Sequence, residues 1–212
     1  MSQTRKLAVV SSGVGAPSTS RMLADRLTAA TIDHLKADYD IEATAKVHEL
    51  REYAKDIANN LVIGLPTPKL GEVIEDVVGA DGLILTTPVF NASYSGLFKS
   101  FLDIIDPNSL AGMPTLIGAT GGTPRHSQVL DYAIRPVLVY MHADVMTTGV
   151  YAATEDWAGA QDDTLPALPD RIDRAAREFA ARVAAEDRSQ RERDPFAVDA
   201  GFAAVRGGFS AE

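Results

Sequence analysis

Five short strand-like runs, separated by stretches of helical periodicity, constrain this chain more than any other feature. They are Lys6–Ser11, Asp40–Val47, Asp81–Thr87, Pro114–Thr120 and Val145–Val150. In the third run the apolar residues are consecutive, as in strands covered by helices on both faces. The second alternates apolar and polar residues instead. After Pro17, Met22, Leu23, Leu27, Ala30 and Leu35 recur at helical spacing. Further helices are expected over Glu49–Asn60, Leu70–Val78, Gly96–Ile105, Ser127–Met141 and Asp170–Glu186, with Pro66 and Pro68 breaking the chain between the first two. Strands alternating with helices imply βαβ units and a parallel sheet, and right-handed crossovers place helices on both faces. The expected architecture is one doubly wound α/β domain over residues 1–186. Residues 187–212 differ: they are charged at first, then carry Phe196, Phe202 and Phe209 among Gly and Ala. They are either a frayed tail or an arm that packs on a neighbouring subunit.

Composition removes several classes of function. The chain has no cysteine, which excludes disulfides, thiolate catalysis and Cys-ligated metal, and fits a reducing cytoplasm. A net charge of −9 opposes binding to nucleic acid. No apolar run is long enough to span a membrane, and Met1–Lys6 is polar with no secretory segment behind it. His34, His48, His126 and His142 form no metal-binding motif, so no metal is expected. No G-x-S-x-G elbow occurs, and nothing points to a catalytic nucleophile or a carboxylate pair. Any chemistry comes from a bound cofactor and a small-molecule substrate.

In open parallel sheets ligands bind beyond the carboxyl ends of the strands. Three loops leave such ends here. The first, Ser11–Ser20, contains Gly13-Val-Gly15, but Ser18 stands at the third glycine position of a dinucleotide fingerprint and Pro17 precedes it. No Gly-Lys-Ser/Thr occurs, which excludes a Walker A loop. Ser18, Thr19 and Ser20 stand at a helix start; one hydroxyl suffices as a cap, and the others with free N–H groups suit a phosphate monoester. The second loop, Thr87–Gly96, carries Val89, Phe90 and Tyr94. These either pack on the domain or lie against a flat aromatic ligand. Asn91 offers an amide to such a ligand or stabilises a turn. The third, Thr120-Gly-Gly-Thr-Pro-Arg-His126, lets backbone N–H groups approach a developing negative charge. Arg125 is either solvated or paired with a phosphate of a second substrate.

Over residues 5–186 the chain resembles the flavodoxin-like NAD(P)H-dependent FMN reductases, in particular those that supply reduced flavin to two-component monooxygenases. The resemblance is carried by Ser11 with Pro17-Ser-Thr-Ser-Arg21, by Thr87-Pro-Val-Phe-Asn-Ala-Ser-Tyr-Ser-Gly-Leu-Phe-Lys-Ser-Phe-Leu-Asp103, by Ala119-Thr-Gly-Gly122 and by Asp131-Tyr-Ala-Ile-Arg-Pro-Val-Leu138. It implies a five-stranded parallel sheet in the order 2-1-3-4-5. It implies an FMN phosphate held by Ser11, Ser18, Thr19 and Ser20, a ring lined by Pro88, Val89, Phe90 and Asn91, and Thr120, Gly121 and Gly122 at its pyrimidine side. NADPH or NADH is the implied hydride donor, flavin N5 the acceptor, and no side chain is the catalyst; Arg125 is the candidate for a nicotinamide phosphate. Many relatives carry an arginine within the phosphate loop, whereas here Arg21 follows the hydroxyls.

The resemblance also implies an oligomer, a homodimer or homotetramer. Independently, the expected helix over Ser127–Met141 has little polar face, and Pro136 should kink it or start a new turn. Two other readings remain: a reductase that retains FMN and acts on quinones or azo compounds, and a flavodoxin-like electron carrier.

Overall fold

The computed structural model describes residues 4–157 and 166–186. The expected arm at 187–212 lies outside them. Strand β1 (Thr4–Ser11) leads into helix α1 (Thr19–Tyr39), and β2 (Glu42–Glu49) follows. A 3-10 turn over Leu50–Tyr53 opens α2 (Ala54–Ile63), and α3 (Pro68–Val78) leads to β3 (Gly82–Phe90). A two-residue β4 (Ser93–Tyr94) precedes α4 (Gly96–Leu102) and β5 (Pro114–Gly121). A π turn at Leu130–Ile134 runs into α5 (Arg135–Tyr140), and β6 (Asp144–Val145), β7 (Val150–Ala153), α6 (Thr154–Trp157) and α7 (Leu168–Ala185) complete the fold.

The parallel order is β2-β1-β3-β5, with β6 and β7 both on the far side of β5, so the five positions follow the expected 2-1-3-4-5 order. The sheet nevertheless has seven strands. One addition is the antiparallel β3–β4 hairpin. The other corrects the expected strand at Val145–Val150, which is two segments rather than one. Met146 still donates its N–H to Thr115, but the chain then leaves the ladder before β7, and side chains take over its polar groups. Arg135 donates to the carbonyls of Val145, Met146 and Thr147, while Glu178 accepts from the N–H groups of Thr147 and Thr148.

Consecutive apolar residues in β1 and β3 serve two cores. Val10 and Leu85 face a layer with Val73, Val77, Phe98 and Phe101, whereas Val9 and Ile84 face Leu23, Leu27 and Phe179. Strand β2 lies at the edge and alternates exposed with half-covered residues, which explains its alternating sequence. Asp40, expected within β2, instead ends α1 in the left-handed region (φ 52°), donating its N–H to Leu35 and Lys36.

The expected helix over Ser127–Met141 is interrupted. Pro136 has no N–H to give, and the N–H of Arg135 reaches the carbonyl of Leu130, five residues back. Proline thus begins α5 rather than kinking a longer helix. Leu130, Ile134, Leu138 and Met141 are buried, while Tyr132, Val139 and Tyr140 are exposed. Among the described residues no helix is long and apolar enough to cross a membrane.

Candidate functional site

The three loops meet at the carboxyl rim of the sheet. Ser11 pairs in register with Thr86, and Pro88 with Thr120. Thr120 in turn binds the start of α1: Thr19 Oγ1 donates to its hydroxyl at 3.3 Å, and Ser20 Oγ lies 2.8 Å from it. The structure therefore brings the first and third loops into contact through hydroxyl groups.

Within the first loop, Ser18 Oγ accepts the N–H of Arg21 at 3.2 Å and caps α1. Its own O–H is left to donate. A Cβ on Gly13 would overlap Ser18 Oγ and stand 3.1 Å from Ser18 Cβ, so a side chain there would turn the Ser18 hydroxyl away from its cap. Thr19 is exposed, but Ser20 is fully buried and turned toward the sheet. Ser11 Oγ and Thr86 Oγ1 are buried without any hydrogen-bond partner. Buried hydroxyls are seldom left so. Ser11 ends β1, and the 21-residue helix that follows carries no acidic residue in its first turn. Such an end is electropositive.

Beside this loop lies a cluster of charges of which the sequence pointed to Arg21 alone. Arg51 donates to the carbonyl of Gly15 at 2.8 Å and pairs with Glu49 at 3.0 Å. Arg21 binds the other oxygen of Glu49 at 3.0 Å, and Asp25 at 2.8 Å. Its pKa is raised, first by the Asp25 hydrogen bond and further by the charges of Asp25 and Glu49. Glu49, expected to open a helix, ends β2 opposite Ser11.

The second segment is a hairpin more than a loop. Asn91 (φ 50°) and Ala92 (φ 64°) form its two-residue turn, both left-handed, as a type I′ hairpin turn requires. Asn91 therefore shapes the turn. Pro88 and Val89 are half-buried at the rim, and Phe90 is 46% exposed. A chain of buried hydroxyls ties this segment to the first loop: Ser95 Oγ donates to Ser12 Oγ at 3.1 Å, and the Ser95 N–H donates to Thr87 Oγ1 at 3.0 Å. Ser95 also caps α4. Its position before a helical run was the available signal.

At the third loop, a Cβ on Gly121 would overlap the Tyr151 hydroxyl, whereas one on Gly122 would meet only open space. Tyr151 donates to the carbonyl of Thr123 at 2.7 Å. Burial, and then the charge of Asp156, raises its pKa, which keeps that hydroxyl a donor. Arg125 is exposed on the 3-10 turn after this loop, its N–H on Thr123 Oγ1 at 3.4 Å. Among the described residues no group of histidines and carboxylates could hold a metal ion. The rim offers alcohols, backbone N–H groups and apolar walls, which bind and orient.

Comparison with known proteins shows the family. The family model described as NADPH-dependent FMN reductase matches residues 5–158. The FMN reductase (NADPH) of Pseudomonas aeruginosa is 34% identical over 157 residues, 74% of this chain and 81% of that one. The NADH-dependent FMN reductase SfnF of Pseudomonas fluorescens is 34% identical over 176 residues, 83% of this chain and 90% of its own. The crystal structure of an oxidoreductase from Corynebacterium diphtheriae superposes with a TM-score of 0.82 at 44% identity, covering 88% of this chain and all of the other.

Proposed function

Because the chain belongs to the NADPH-dependent FMN reductase family, we propose that it binds FMN across the carboxyl rim and reduces it with NADPH or NADH. The observation that carries the site is the open start of α1, where Ser18 caps the helix with its own O–H left to donate and the first turn holds no acidic residue. A phosphate monoester supplies acceptor oxygens for such groups. The donor set fits the group. Ser18 holds the phosphate by its hydroxyl group, Thr19 and Ser20 by their backbone N–H groups, and Ser11 stands beneath them at the end of β1. Pro88, Val89, Phe90 and Asn91 line the ring, and Thr120, Gly121 and Gly122 approach its pyrimidine edge. FMN, when bound, supplies the redox chemistry, taking a hydride at N5.

The chain's own residues orient the flavin and stabilise charge. N–H groups at Gly121 and Gly122 meet the side of the ring where negative charge develops. Exposed Arg125 is the candidate for the nicotinamide phosphate. Curated relatives named for NADPH and for NADH are equally similar, so both donors belong in the assay. Reduced flavin leaves over the open side, where Phe90, Asn91 and Gly122 are exposed, to serve a flavin-dependent monooxygenase. Steady-state NAD(P)H oxidation with free FMN varied tests this. Saturation in FMN, with no turnover in its absence, is the expected result; full turnover by dialysed protein without added flavin would instead make FMN a retained group.

We also propose a homodimer or homotetramer. Tyr140 and Val137 border an apolar groove of about 410 Å³ between α4 and α5, with Leu102 and Ile105 opposite. Exposed apolar surface of this kind marks an interface. Light scattering at micromolar concentration should give a multiple of the 22.6 kDa chain; a monomer would count against it.

A further inference from the structure

The flank of the phosphate loop holds two guanidinium groups whose charge is already answered. Glu49 gives one carboxylate oxygen to Arg21 and the other to Arg51, and Asp25 takes Arg21 from its second side. Two cations and two carboxylates leave the flank with no net charge. Glu49 is only 15% exposed in its side chain, so water screens it less than a surface carboxylate. Its strand position, opposite Ser11, puts it beside the orphaned hydroxyl. Arg51 also grips the loop itself through the carbonyl of Gly15. A phosphate dianion entering the loop meets Arg21 and Arg51 as neighbours and Glu49 as a repelling charge.

We infer that Glu49 sets how tightly the chain holds the flavin phosphate, weakening it by occupying Arg21 and Arg51. This rests on the reading of the first loop as the FMN phosphate site. It gives the flank a function: a carboxylate that keeps two arginines ordered near the phosphate while withholding their net charge. Flavin is thereby bound by alcohols and N–H groups and released after reduction. An ordinary structural ion pair would instead support the loop without regard to what the ligand carries at its tail.

Riboflavin separates these cases, because it shares the ring and lacks the phosphate. Binding of FMN and of riboflavin is titrated by flavin fluorescence without nicotinamide, for the natural chain, Glu49→Gln and Arg51→Gln. Gln keeps an acceptor for the arginines and removes the charge. Glu49→Gln should tighten FMN by about fivefold and leave riboflavin within about twofold. The gain should disappear at about 1 M salt, where the screening length is ~3 Å. Arg51→Gln shifts the flank's charge the other way and should weaken FMN by about tenfold, again sparing riboflavin. Unchanged or weaker FMN binding in Glu49→Gln, or equal changes for both ligands, overturns the inference. If Glu49→Gln does not fold, Arg51→Gln decides alone: equal loss of both ligands, or no loss, overturns it. Absence of FMN binding by the natural chain would bring down the phosphate-site reading and this inference with it, whereas normal binding with insensitive variants brings down this inference only.

Discussion

At the β1–α1 end of the rim the available groups are side-chain alcohols, braced from outside by Arg51 on the carbonyl of Gly15. At the β5 end, where we propose that backbone N–H groups do the binding, the loop is braced from beneath by Tyr151 on the carbonyl of Thr123. The first end suits a compact, charged, tetrahedral group, for which several short donors on a helix start can converge. The second suits the edge of a flat ring, which needs close backbone approach and no side chain in the way. Each loop is braced through one of its carbonyls, while the two ends are joined by the hydroxyls of Thr19, Ser20 and Thr120. The bracing residues can therefore be changed without removing a ligand contact, and the two ends can be tested separately.

The largest effect is expected at the β5 end. In Gly121→Ala the new methyl group overlaps the Tyr151 hydroxyl, and Tyr151 is buried on a strand where its ring has little room to yield. Overpacking of this kind costs about 1–3 kcal/mol. Urea denaturation should show that loss, and FMN affinity should fall with it. Adding Tyr151→Phe removes the overlapping oxygen and leaves a contact of 3.2 Å to the ring carbon, so the double variant should recover most of the loss. Tyr151→Phe alone gives up one hydrogen bond, about 1 kcal/mol. Should the double variant be no more stable than Gly121→Ala, the backbone end is not limited by Tyr151.

The same contrast explains what could be seen in the sequence. The parallel sheet and its two-sided helical cover follow from consecutive apolar residues and right-handed crossovers, which are local patterns and general rules, whereas the strand order came with the family resemblance. Ser18, Thr19 and Ser20 and the pair Gly121-Gly122 announce themselves by composition beside a strand. The braces do not. Glu49 and Arg51 sit in a polar stretch that looks like the beginning of a helix, and only the pairing of β2 with β1 brings them to the loop. Tyr151 lies in a strand with nothing in its neighbourhood to suggest a contact with a loop residue 28 positions earlier. The division of the last strand was equally hidden, because Arg135 and Glu178 satisfy its open segment from two separate helices. Ser20 was visible as a hydroxyl, but its direction depends on where Thr120 arrives.

The finest distinction lies within the alcohol end, between Ser18 and Ser20. Ser18 is half-buried, accepts the Arg21 N–H and still has a proton to donate. Ser20 is sealed from solvent and spends its hydroxyl on Thr120. Ser18→Ala should cost about 1 kcal/mol of stability through the lost cap and weaken FMN by about tenfold through the lost donor. Ser20→Ala should cost a similar stability, since it breaks one buried hydrogen bond, yet move the FMN dissociation constant by less than about twofold. Thermal denaturation and FMN titration of the two variants side by side check both halves. A tenfold loss of FMN in Ser20→Ala would mean that its side chain turns from Thr120 to the phosphate on binding, and the division between bracing and contacting groups would then fail at this position.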